Sequence, residues 1–214
     1  MLAPARGAAG ARADAIESHF PHLLIAMPSN DRYSATAIAL HWLIFALIAG
    51  GFTLAVYMVD LPLSPAKLKY FSWHKWTGIT IFFLALARVA WRLTHRAPPY
   101  AADFPLWQRR AAGAMHALLH ALIVVIPLTG WLYSSAAGVT TVYFGVLPLP
   151  DFLAKDKALA ELLKSVHVTL NYTLLILVLL HVMAALQHHF FMRDQILARM
   201  LPWAGRGKAG SADV

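Results

Sequence analysis

Imidazole is the reactive group this chain carries in excess. Eleven histidines stand against ten acidic residues, and there is no cysteine. Imidazole is the commonest side-chain metal ligand and the one side chain that ordinarily changes charge near neutral pH. The missing thiols exclude disulfides, iron–sulfur clusters, thiolate zinc sites and any heme attached through Cys-x-x-Cys-His. The surplus therefore points to metal or cofactor ligation through nitrogen.

Spacing sorts the histidines. His167 and His181 are fourteen residues apart. On a helix that is two heptads, so both project from nearly one face, about 21 Å apart along the axis. One cofactor could not span that distance, and two ligands at two depths imply two cofactors. His116 and His120 are spaced i, i+4. That spacing could bind zinc, but no acidic or thiolate companion accompanies them. His188 and His189 are expected to face headgroups, and His19, His22 and His95 receive no role.

These residues need elements to hold them. The chain of 214 residues is 59% hydrophobic and 13% charged, with a mean hydropathy of +0.59. Ordinary globular chains carry about 25% charged residues. Too few polar groups remain to coat a soluble fold, and disordered and fibrous classes fail on the same numbers, so the chain reads as a membrane protein. Four stretches can cross an apolar core of about 30 Å. They are Ala35–Val59, Trp73–Leu93 (with Lys75 and Arg88), Ala111–Ala136 (with a kink expected at Pro127) and Val166–Met192. No strand-like alternation suggests a β-barrel. The expected class is an all-α membrane protein, a four-transmembrane-helix bundle.

Basic residues orient it. Eleven Lys and Arg lie in the N-terminal segment, the second loop (Arg92, Arg96, Arg109, Arg110) and the tail (Arg193, Arg199, Arg206, Lys208). The other two loops hold five: Lys67, Lys69, Lys155, Lys157 and Lys164. The richer set should be cytoplasmic, placing both termini inside. The net charge of +8 then belongs to loops at a membrane and gives no reason to expect nucleic acid. Residues 1–34, rich in alanine, form an N-terminal extension with no run long enough for a signal peptide. Two readings of it stand side by side, a disordered extension or translation beginning at Met27. The four-helix membrane domain that carries the histidines is expected over 35–192 and a basic cytoplasmic tail over 193–214.

Depth then pairs the ligands. His74 opens the second span from outside, level with His167, while His41 lies about six residues into the first span from inside, in the half that holds His181. Histidine inside a membrane is costly without a partner. Each pair suits bis-histidine axial coordination of a non-covalent b-type heme, giving two hemes b stacked across the bilayer. His120 reaches a depth similar to His41 and rivals it, and lining a quinone pocket or bonding a heme edge suits His116 and His120 better than zinc. Gly78, one turn after His74 on the same face, would let a porphyrin approach closely, or would serve helix packing. Arg88, fourteen residues after His74, falls at the inner level, where it would meet heme propionates or snorkel to headgroups.

The pattern resembles the bacterial diheme cytochrome b561 family. The residues that carry the resemblance are Arg32-Tyr33-Ser34, Ile38-Ala39-Leu40-His41-Trp42, and His74 followed by Gly78 and Arg88. Further along come Pro127-Leu128-Thr129-Gly130-Trp131, His167 with His181, His188-His189-Phe190-Phe191, Asp194 and Met200-Leu201-Pro202. It covers about residues 31 to 202. The resemblance implies a four-helix cytochrome of the bacterial inner membrane with heme ligands at His41, His74, His167 and His181. Its task would be electron transfer between a quinone and a second donor or acceptor. One departure falls in the third span, where members often carry His-x-x-His; here the first position is Gly113, and His116 matches the second.

Three functions follow. The first is a stand-alone oxidoreductase passing electrons from a small donor to quinone, with superoxide as the donor in members this chain resembles. The second is an anchor subunit fed by a partner dehydrogenase or hydrogenase. The third is a heme-free, histidine-rich metal transporter, for which acidic residues inside the spans would be wanted and none is found.

Overall fold

The computed structural model describes residues 32–99, 104–192, 194 and 196–202. The N-terminal extension with Met27, and the tail beyond residue 202, lie outside the described residues. Four long helices dominate: α1 (Ala35–Val59), α2 (Pro65–Thr94), α3 (Leu106–Ala136) and α4 (Lys157–Gln187). Each is long and apolar enough to cross a membrane, the last together with the π-helical turn His188–Met192 that follows it. The chain is thus a four-helix membrane bundle. Its surface is lipid-like in character: Leu43, Phe83, Ile176, Leu179 and Leu180 are all exposed.

Local signals set the helix starts. Ser34 caps α1 by accepting from the Ala37 amide at 3.3 Å, Ser64 caps α2 by accepting from Lys67, and Asp156 caps α4 by accepting from Leu159 at 3.0 Å. Pro65 stands in the first turn of α2, where its missing N–H costs nothing. α2 and α4 begin eight or nine residues before the apolar spans expected from hydropathy, so His74 lies in the third turn of α2 and not its first. Its level relative to His167 is unchanged, because α4 is extended by a similar amount. α3 runs unbroken from Leu106 to Ala136 with Pro127 inside it.

The helices pack in sequence, α1 on α2, α2 on α3 and α3 on α4. Their shared core is Ile44, Ala85, Leu122, Ile123, Ile126 and Leu174, contributed by all four. This layer lies between the two histidine levels, since Leu174 falls midway between His167 and His181. Between α3 and α4 a small antiparallel hairpin forms from β1 (Val142–Tyr143) and β2 (Leu147–Pro148). At the other end the short 3-10 turn Ala198–Met200 returns beneath the bundle. There Trp42 Nε1 donates to the Met200 carbonyl at 2.8 Å, and Arg32 donates to that of Leu201.

Candidate functional site

His74 and His167 face each other from α2 and α4 with ring centres 6.3 Å apart and planes nearly perpendicular. Both rings are oriented through Nδ1. His74 Nδ1 donates to the Gly51 carbonyl of α1 at 3.1 Å. His167 Nδ1 donates to the Ile126 carbonyl and to Thr129 Oγ1, each at 3.0 Å, while the Thr129 hydroxyl itself donates to Ile126. With Nδ1 engaged as a donor, the lone pair of each neutral ring sits on Nε2, the arrangement metal-binding histidines adopt. A metal–imidazole bond is about 2 Å. Two imidazoles on opposite sides of one ion therefore have centres about 6 Å apart, and this pair fits such an ion.

Around the pair lies a cavity walled by Ile48, Phe52, Ile81, Pro127 and Leu174 among others. Gly78 borders it, and a side-chain carbon added there would meet nothing within 4 Å. Gly130 behaves differently. A Cβ built on it would stand 2.9 Å from His167 Cε1 and 3.2 Å from Nδ1, so the ring occupies the space a side chain would need. Thr129 and Gly130 are positioning residues that the sequence shows only as part of a motif, because their role depends on α3 facing α4.

The second level gathers more groups. His41 and His181 have ring centres 6.4 Å apart, again compatible with one ion between them, and His116 packs edge-on against His181 at 5.3 Å. Arg88 joins this cluster: its guanidinium donates to His41 Nδ1 at 3.1 Å and to His120 Nε2 at 3.3 Å. His120 Nδ1 in turn donates to the His116 carbonyl. Arg88 is half-buried among these histidines, and His116 lies closer to His181 than His41 does. His188, at the end of α4, is partly buried. Its Nδ1 donates to Asp194 and its ring stacks on Phe104 at 5.6 Å, whereas His189 stays exposed. Asp194 captures His188 because the π-helical turn brings the chain back within one turn of it.

At the other end, Lys75 follows His74 directly. Its ammonium donates to Ser134 Oγ at 2.6 Å and, at 3.4 Å, to the Val139 carbonyl. Of the neighbouring lysines, Lys67 caps the end of α1 through the Val59 and Leu61 carbonyls, and Lys164 pairs with Glu161 at 3.6 Å.

Comparison with known proteins agrees with the geometry. The family model described as prokaryotic cytochrome b561 matches residues 32–203, the bundle from its lead-in to its closing turn. Among curated proteins, Cytochrome b561 homolog 2 of Escherichia coli strain K12 is 32% identical over 178 residues, 80% of this chain and 92% of the relative. Cytochrome b561 homolog 1 of the same organism is 28% identical over 80% of this chain and 98% of its own length. A Yersinia pestis protein named "Probable superoxide oxidase CybB" is 27% identical over 81% and 97% respectively. Four membrane helices, histidine pairs at two depths and a match over nearly the whole bundle lead to one conclusion: the chain belongs to the prokaryotic cytochrome b561 family, heme-b membrane proteins of electron transfer.

Proposed function

We propose that the chain holds two hemes b, one between His74 and His167 and one between His41 and His181, and carries single electrons from superoxide to membrane quinone. The observation that carries the reading is the pair of ring separations, 6.3 and 6.4 Å, on either side of one apolar layer. Heme iron supplies the one-electron chemistry when bound. The residues do the rest. Carbonyls of Gly51 and Ile126 aim the first two histidines into the cavity, and Gly78 leaves room for a flat ring. Arg88 is the cation available to an anionic group such as a propionate at the second level. Accepting it would free His41 Nδ1 to carry the proton, leaving Nε2 for a metal.

With both termini cytoplasmic in a bacterial inner membrane, His74 and His167 face the outer side. The basic residues there are Lys67, Lys69, Lys75, Lys155, Lys157 and Lys164, against Asp60, Asp151, Asp156 and Glu161. Hydrogen bonds to neutral acceptors leave the lysine charges in place, so the field at the mouth is the sum of these groups, with Lys75 directly after His74 in sequence. A net-positive mouth can raise the encounter rate of a small anion roughly 10-fold or more, with a rate that falls as salt rises. The chemistry balances: two superoxide ions each release one electron to become dioxygen, and a quinone takes two electrons and two protons to become quinol. The name of the Yersinia pestis relative supports the choice of donor.

Stopped-flow mixing of the purified, heme-loaded chain with superoxide tests it. Heme reduction should be fast, slow at high ionic strength and slow again in Lys75→Glu. Sluggish reduction at every salt concentration would overturn superoxide as donor and leave a cytochrome fed by a partner dehydrogenase.

A further inference from the structure

The connection between α3 and α4 is unusual for a segment outside the helices. From Gly138 to Pro150 it carries no charge. Its tip is apolar and open, with Phe144, Val146 and Leu147 exposed by 60, 83 and 56%. The tip is also shaped to close tightly. Phe144 and Gly145 take left-handed conformations, φ 50° and 73°, and the amides of Gly145, Val146 and Leu149 donate to the carbonyls of Val142, Tyr143 and Thr141. Backbone groups are thus paired within the hairpin, which a segment leaving water requires.

Its position is fixed by α2. Trp76 Nε1 donates to the Val142 carbonyl at 2.7 Å, the Trp76 and Phe144 rings approach to 5.2 Å, and Thr80 Oγ1 hydrogen-bonds the Tyr143 hydroxyl at 2.8 Å. Trp76 and Thr80 lie two and six residues beyond His74, about 3 and 9 Å deeper into the span. The hairpin therefore packs alongside α2 at and beyond the level of His74. Tryptophan and tyrosine are the residues that settle at the headgroup level.

We infer that residues 139–148 form an interfacial anchor, with Phe144, Val146 and Leu147 seated in the headgroup–acyl boundary of the leaflet on the His74–His167 side. Continuity with the lipid-facing surface of α2 and the absence of charge favour lipid over a docked protein. The inference requires no heme and neither orientation of the bundle.

The absence of native cysteine makes the test clean. The full heme-loaded chain carrying Val146→Cys is spin-labelled and placed in phosphatidylcholine–phosphatidylglycerol vesicles, and its relaxation is read with oxygen and with a water-soluble nickel chelate. Lys157→Cys provides a water reference and Leu180→Cys a lipid one. Oxygen should relax the Val146 label nearly as well as the Leu180 label, with nickel collisions several-fold below those at Lys157. Nickel access equal to that at Lys157 would overturn the anchor. Shielding from both reagents would overturn it too, by showing that protein covers the tip. A Phe144→Cys label must give the same ranking.

Discussion

Gly130 leaves the space in which the His167 ring stands, with 2.9 Å between a notional Cβ and Cε1. Gly130→Ala must push the imidazole out of its place against Ile126 and Thr129, and overpacking of this kind costs about 1–3 kcal/mol. The expected outcome is loss of heme signal from the His74–His167 level alone, read in the reduced-minus-oxidised spectrum. Thr129→Val removes one of two acceptors for His167 Nδ1 and leaves the Ile126 carbonyl, so about 1 kcal/mol is at stake and both hemes should remain. A Thr129→Val protein as depleted as Gly130→Ala would show that the hydroxyl, not the space, holds the ring. The histidine spacing that marks the site is legible in sequence because a helix converts residue number into depth. The partners of Arg88 are not, since its bonds to His41 and His120 depend on how α1 and α3 are rotated about their axes.

At the scale of the element, hydropathy marks bilayer thickness and not helix length. α1 contains no charge and its expected bounds coincide with the helix, Ala35–Val59. α2 and α4 run further because Lys67, Lys69, Lys157, Glu161 and Lys164 are helical residues that stand beyond the apolar core. Ser64-Pro65 and Asp156 are the capping signals that could have located those starts. The hairpin escapes a reading of spans because its run is too short to cross a membrane. Ser34 has a double task, capping α1 and accepting from Trp91 Nε1 of α2 at 3.0 Å. Ser34→Ala should therefore destabilise the bundle by about 1–2 kcal/mol. A lower thermal midpoint in detergent, with both hemes retained, is the expected result; an unchanged midpoint would mean the cap carries no weight.

The whole molecule is a two-level device. Histidines at each level are separated by the apolar layer of Ile44, Ala85, Leu122, Ile123, Ile126 and Leu174. The lysine and arginine distribution places both termini on the cytoplasmic side as an expectation. A cytoplasm-active reporter should work when fused after Lys208 and fail when placed near Lys157. The reverse pattern would exchange the inner and outer levels while leaving each pair intact.

Two bis-histidine heme sites in one chain would fix the heme b content per polypeptide of the purified protein, to be measured alongside His74→Ala and His41→Ala. Two hemes in the wild type and one in each variant, with different spectra remaining, is the predicted result. One heme in the wild type, or equal loss of all heme from both variants, would contradict it.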